Sequence, residues 1–223
     1  MAINKTQLEA YIITNGRSTF EYAKKCLEEQ TMKIKINVVR DMPMVDAMNH
    51  IIKTSNTRYF LKVDDAFLLH PQSVEFMAKQ INHPDPRSGF WFWHLYETWT
   101  SSRIQSIKIY DTKKCRKVGG FRAFSSGRVD LPFMNDIKKQ GYGIWNDSSM
   151  VALHACSSWA EQEEYEKIWA KNSKANKHHK ATREKMKLYP HSIQHQYENI
   201  DRLLVRNAKK SKFAKYVINS RNK

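Results

Sequence analysis

The chain has 223 residues, with 38 Lys and Arg against 22 Asp and Glu, a formal net charge of +16. A hydrophobic fraction of 41%, including 10 Phe, 10 Tyr and 6 Trp, is enough to bury a core, and no apolar run approaches the roughly eighteen residues of a membrane-spanning helix. The 3 cysteines, Cys26, Cys115 and Cys156, are far apart and odd in number, which argues against a disulfide framework or zinc cluster and for a reducing compartment.

Residues 1–7 lack the apolar block of a signal peptide, so a cytoplasmic protein is expected. Glu9 to Thr14 reads as a first strand, and Asn15-Gly16-Arg17 as a tight turn. Ser18 or Thr19 is placed to cap a helix running to about Gln30. Lys33 to Val39 alternates apolar residues as a second strand, followed by Asp41, and Met44 to Ser55 has helical spacing. Tyr59 to Val63 is a short apolar run, the pattern of a buried strand, and it ends on two adjacent carboxylates, Asp64 and Asp65. Gln72 to Ile81 reads as a helix and Phe90 to Tyr96 as an aromatic strand. Strands alternating with helices predict a parallel sheet with helical crossovers.

The pattern then changes. Ile104 to Tyr110 reads as a strand, Lys113 to Lys117 as a basic turn and Asp130 to Gln140 as a helix. Tyr142 to Asp147 leads into an apolar run from Ser149 to Ala155 that carries His154, and a helix is expected from Trp159 to about Ala170. Lys171 to Lys180 is the most linker-like segment, and the polar, helix-prone remainder has a few apolar anchors, among them Leu203, Leu204, Phe213 and Val217. Charge is distributed unevenly: residues 1–100 hold 12 basic and 11 acidic side chains, residues 101–223 hold 26 and 11, and from Lys167 onward the count is 16 against 3. Such an end is built to meet a polyanion.

Acids at the carboxyl end of a central strand lie where open α/β sheets bind ligands. As hard oxygen donors, Asp64 and Asp65 suit Mg²⁺ or Mn²⁺ carrying a diphosphate. The turn at Thr14, Asn15 and Arg17 offers backbone donors and a guanidinium to a nucleotide. Asp147 is a candidate general base, although an Asn-Asp-Ser-Ser setting equally suits a cap.

Several of these segments together resemble the family 2-like glycosyltransferases with the GT-A fold. Tyr11 to Arg17 is similar to that family's first strand and nucleotide-binding turn. Ala47-Met48-Asn49 followed by Thr57 to Asp65 resembles its run into the Asp-x-Asp signature, with His70-Pro71 after it. Gly119-Gly120-Phe121 and Trp145-Asn146-Asp147 look like its acceptor-side loop and acidic catalytic motif. The likeness covers about residues 8–155. Aligned on His70-Pro71, the signature becomes Asp64-Asp65-Ala66, so an alanine stands where the second signature acid would be.

The resemblance implies a GT-A, Rossmann-like, mixed and mainly parallel α/β sheet flanked by helices. Residues 1–170 would form the transferase core, about 1–100 for the nucleotide-sugar and 101–170 for the acceptor, with 171–223 a basic helical appendage. It implies a nucleotide-diphosphate sugar donor, with a UDP-sugar the leading candidate, and Mn²⁺ or Mg²⁺ held by Asp65 and His154. Thr14, Asn15, Arg17, Asp41 and Asp64 would contact the nucleotide, and Asp147 would serve an inverting transfer. Charge beside the acceptor side points to a nucleic-acid acceptor such as hydroxymethylated phage DNA. The alternatives are a transferase for a lipid-linked or cell-surface glycan, and a catalytically lapsed GT-A module that binds nucleic acid.

Overall fold

A computed structural model describes residues 4–81, 87–122, 130–155, 191–207 and 211–221. Its elements are β1 (Leu8–Thr14), α1 (Phe20–Glu28), β2 (Lys35–Arg40), α2 (Met44–Thr54), β3 (Tyr59–Asp64), β4 (Phe67–Leu69), α3 (Ser73–Ile81), β5 (Ser88–Glu97), β6 (Ser102–Asp111), α4 (Thr112–Val118), α5 (Asp130–Lys139), β7 (Gly143–His154), α6 (Ile193–Glu198), α7 (Ile200–Asn207) and α8 (Lys212–Arg221). The expected helix at 159–170, the linker at 171–180 and the boundary at 170 lie outside the described residues. No helix of the described residues is long and apolar enough to cross a membrane.

One sheet of seven strands carries the architecture, in the order β2-β1-β3-β6-β5-β7-β4. β2, β1 and β3 pair in parallel, as do β5 and β7, while β6 and β4 run antiparallel to their neighbours. Five strands therefore share one direction, and the mixed, mainly parallel α/β sheet expected from the sequence is the observed fold.

Both faces of β1 are buried, which explains its unbroken apolar run. Ala10 and Ile12 join one cluster with α1, α3, Leu61, Val63, Trp91 and Trp93, while Tyr11 and Ile13 join a second with α2, Phe60, Phe90 and Tyr110. In α1, Phe20, Ala23, Cys26 and Leu27 recur at helical spacing and form its buried stripe. Thr19 is the N-cap residue, but its side chain makes no capping bond.

One sequence expectation changes, and one short strand is added. Lys113 to Lys117 belongs to a helix, α4, because Asp111 accepts from the Lys114 backbone N–H as an N-cap and Gly119, at φ 90°, ends it in the left-handed conformation. Phe67 to Leu69 forms the edge strand β4, antiparallel to the end of β7.

Glu9, buried at the base of β1, accepts from the Ser55 hydroxyl at 2.6 Å, Asn37 Nδ2 at 3.0 Å and the Tyr11 hydroxyl at 3.0 Å. Burial alone would raise its carboxyl; the bonds from Ser55, Asn37, Tyr11 and Thr57 hold it below the ordinary range.

The C-terminal helices are part of this core. Leu204, Phe213 and Val217 are buried in the cluster that holds Val74 and Phe76, and the Phe213 ring lies 5.3 Å from His70 and 5.1 Å from Phe76. His70 Nδ1 accepts from the Gln72 backbone N–H, so Nε2 carries the proton toward Asp201 Oδ1 at 3.0 Å. Asp201 also meets Arg221. Phe213→Ala should therefore cost about 3–5 kcal/mol in urea unfolding, whereas Ile218→Ser, at an exposed position of the same helix, should stay within about 0.5 kcal/mol. A Phe213 loss below about 1 kcal/mol would mean that α8 contributes little to the core.

Candidate functional site

The parallel pairing of β1 with β3 sets Ile13 opposite Asp64 and brings both strands to one end of the sheet together. There the chain turns sharply at Gly16, whose φ of 83° is left-handed. The Thr14 hydroxyl donates to Asp65 Oδ2 at 2.8 Å and accepts from the Gly16 backbone N–H at 2.9 Å. Asn15 N–H also points at Asp65 Oδ2, at 3.4 Å, and the Asp65 N–H donates to Ile13 O at 3.2 Å. The turn after β1 is thereby welded to the second of the two acids.

A cavity of about 260 Å³ opens at this end, lined by residues that include Thr14, Asn15, Arg17, Asp64, Asp65, Ala66, Phe67 and His154. Six of the expected site residues thus line one cavity. Burial lifts the Asp65 carboxyl above its ordinary range, and the Asp64 charge adds to this. The Thr14 hydrogen bond and the Arg17 charge act the other way without cancelling it. Asp64 ends β3 on the same face as Lys62, whose Nζ lies 2.6 Å from its Oδ2.

His154 closes the far side. It is the Cα partner of Glu97 on β5 and of Phe67 on β4, so two neighbouring strands position it. Its Nδ1 lies 3.3 Å from Glu97 Oε1, the Trp99 ring is 4.7 Å away and the Phe67 ring stands edge-on at 5.6 Å. Glu97 also accepts from Thr100. Burial would raise the Glu97 carboxyl, but bonds from His154 and Thr100 hold it low. Glu97 was not legible from sequence: only the strand pairing shows that it faces His154.

Two expected residues stand apart. Asp41 is exposed, at a left-handed φ of 54°, with its N–H on Thr14 O at 3.2 Å; it does not line the cavity. Asp147 is not brought to the cavity either. It sits where the β5–β7 register shifts between Phe92 and His94, and it is 4% exposed. Its Oδ1 accepts from Ser149 N–H at 2.8 Å, the local bond that short acids favour, and its Oδ2 lies 3.2 Å from Lys212 Nζ on α8. The Gly119–Phe121 loop is likewise structural. Asn49 bonds Phe121 N–H at 2.7 Å and Phe121 O at 2.9 Å, and the Phe121 ring stacks on Phe133 at 4.0 Å.

A divalent cation fits this wall in one way. Among the described residues, no three side chains of metal-ligating type converge. Asp64 and Asp65 nevertheless stand side by side on the cavity, each bonded through Oδ2. One or two carboxylates completed by phosphate oxygens are how Mg²⁺ and Mn²⁺ are commonly held.

No protein-family model matches the chain, and no curated protein sequence matches it. Its fold is found among solved structures. Mannosyltransferase PcManGT from Pyrobaculum calidifontis, in complex with GDP-Man and Mn²⁺, aligns with a TM-score of 0.54 at 12% identity, over 68% of this chain and 57% of that one. TarS 1–349 from S. aureus gives 0.53 at 13%, over 67% and 60%. A CMP:2-keto-3-deoxy-manno-octonic acid synthetase complexed with CTP gives 0.50 at 9%, over 74% and 99%. The chain thus spans less than two thirds of the first two proteins, and at these identities the likeness is one of fold.

A raised carboxyl at Asp65 has a definite sign. The unfolded chain releases that proton first, so ionised Asp65 costs stability once pH rises above the ordinary aspartate value of 3.8. Asp65→Asn keeps an acceptor oxygen for Thr14 and Asn15. Its melting temperature at pH 7 should equal or exceed that of the wild type, with the advantage shrinking as pH falls toward 4. A clear loss at pH 7 would mean that the charge itself holds the turn together.

Proposed function

We propose that the chain is a glycosyltransferase that moves a sugar from a nucleotide-diphosphate donor to a hydroxyl group on a polyanionic acceptor. The observation that carries this reading is the cavity at the joined tips of β1 and β3, lined together by Thr14, Asn15, Arg17, Asp64 and Asp65. A strand-tip turn that places a guanidinium beside two carboxylates is suited to a nucleotide and its phosphates. The mannosyltransferase of similar fold holds GDP-Man and Mn²⁺, which supports the same class of donor here. UDP-sugar remains our first candidate. Asp64 and Asp65 would hold Mg²⁺ or Mn²⁺ together with the donor phosphates, and the ion would supply positive charge to the leaving diphosphate.

In the transfer, the acceptor oxygen attacks the anomeric carbon, the bond from that carbon to the diphosphate oxygen breaks, and the diphosphate leaves with the electron pair. The acceptor proton needs a base. Asp147, bonded to Ser149 and facing Lys212, is poorly placed for it. His154 lines the cavity with Nδ1 on Glu97, an arrangement that orients an imidazole to take a proton at Nε2. The same carboxylate contact also orients metal-ligating histidines. We assign His154 the proton-accepting role, since Asp64 and Asp65 with the donor phosphates would be enough to hold the ion.

The acceptor class rests on charge. Arg103 is exposed on β6 beside Ile104, which lines the cavity, and Lys212 and Arg221 are exposed on α8. With the 26 basic and 11 acidic side chains of residues 101–223, this supports a nucleic acid, with hydroxymethylated phage DNA our specific proposal. Binding to such a polymer should weaken steeply with salt.

The deciding experiment incubates the protein with UDP- and GDP-sugars, Mn²⁺ and hydroxymethylated DNA, and records mass shifts. Transfer is expected. His154→Gln should slow it about 10²- to 10⁴-fold with donor binding unchanged; loss of donor binding instead would make His154 a ligand. Transfer to a lipid-linked glycan and to no DNA would overturn the acceptor. Absence of any donor turnover, restored by Ala66→Asp, would favour the lapsed binding module.

A further inference from the structure

Lys62 and Lys108 are 8% and 7% exposed, and they are direct Cα partners across the β3–β6 pairing. Both side chains project to the sheet face that packs on α2 and α5, since their neighbours Leu61, Val63, Ile107 and Ile109 all point the other way. Like charges directly opposite one another on adjacent strands are destabilising. Burying an ammonium is costly too, and an apolar pair would serve a core as well or better. Packing alone therefore does not account for them.

Among the described residues each makes a single hydrogen bond. An ammonium has three donors. Among the described residues, Lys62 Nζ has one hydrogen-bond acceptor, Asp64 Oδ2 at 2.6 Å, and Lys108 Nζ has one, Asp130 Oδ2 at 2.7 Å. Asp130 feels both lysine charges, which hold its carboxyl below the ordinary range against the effect of burial. The two cations thus act on common ground.

That ground adjoins the cavity. Asp64, which bonds Lys62, lines it. So does Phe67, whose ring centre is 5.7 Å from the Lys62 ammonium, and so does Ser106, two residues along β6 from Lys108. We infer that Lys62 and Lys108 form an anion subsite for the diphosphate of the nucleotide donor, an inference that rests on the donor reading above. The oxygens of a diphosphate would fill the spare ammonium donors, and two fixed cations would stabilise the charge left when the sugar departs. In a chain with Ala66 at the second signature position, they supply positive charge that does not depend on a third acid.

Isothermal titration of the full chain in EDTA tests this, with inorganic pyrophosphate, UDP, GDP and the parent nucleosides as probes. Pyrophosphate and both nucleotides should bind the wild type. Lys62→Met and Lys108→Met should each weaken them about tenfold or more, as loss of a charge-assisted bond would, with nucleoside affinity unchanged and Lys→Arg at either position restoring binding. In the wild type, pyrophosphate should slow reductive methylation of Lys62 and Lys108 but not of exposed Lys212, a readout that needs no variant. Nucleotides bound equally by wild type and folded Met variants, or unprotected lysines, would overturn the subsite and leave the donor reading intact. Lysine-dependent pyrophosphate binding without nucleotide binding would overturn the donor reading and leave the subsite. A wild type that binds no pyrophosphate at millimolar concentration would overturn the subsite outright.

Discussion

The register between β1 and β3 governs everything at the open end of the sheet. With Ile13 opposite Asp64, the Thr14 hydroxyl falls within 2.8 Å of Asp65 and the Gly16 turn closes over it. A slip of one residue would exchange the faces of every side chain on one strand. It would bury Asp64 in the wrong layer and break the Thr14–Asp65 contact. Both faces of β1 are apolar, so what makes that slip costly is the unequal size of its side chains, Ala10 and Ile12 on one face against Tyr11 and Ile13 on the other, together with the buried Glu9 held by Ser55 and Asn37.

Asp64 ends β3 and Asp65 begins the turn after it, so the two acids stand in different electrostatic settings. Asp65 is caught among neutral donors and feels Arg17. Asp64 is paired with the buried Lys62, behind which lie Lys108 and Asp130. The tip of β3 therefore joins two carboxylates that line the cavity to a pair of buried lysines beside it, each held by a carboxylate. A metal–diphosphate unit has that same polarity, which is the physical reason for reading the site as a donor pocket.

Much of this was legible in the sequence. The apolar runs of β1 and β3 and the helical spacing of α1, α2 and α3 gave the nucleotide-side layers, and six expected site residues meet at one cavity. What escaped depends on contacts distant in the chain. Glu97 acquires its role only through pairing with His154. Glu9 looks like any strand-end acid until Ser55 and Asn37 fold onto it. β4 is three residues long and is defined by the end of β7. Lys62 and Lys108 lie 46 positions apart and meet only by strand pairing. Asp147 was expected at the site because of its motif, and an irregular stretch of β7 turns it toward α8 instead. The basic C-terminal residues read as an appendage, yet Leu204, Phe213 and Val217 complete the core.

Soaking crystals of the protein with a UDP-sugar, with and without Mn²⁺, tests the central claim most directly. The account predicts the diphosphate at the tips of β1 and β3, within hydrogen-bonding distance of the Thr14–Arg17 turn, beside Asp64. A nucleotide bound elsewhere, with Thr14, Asp64 and Asp65 unaltered, would contradict it.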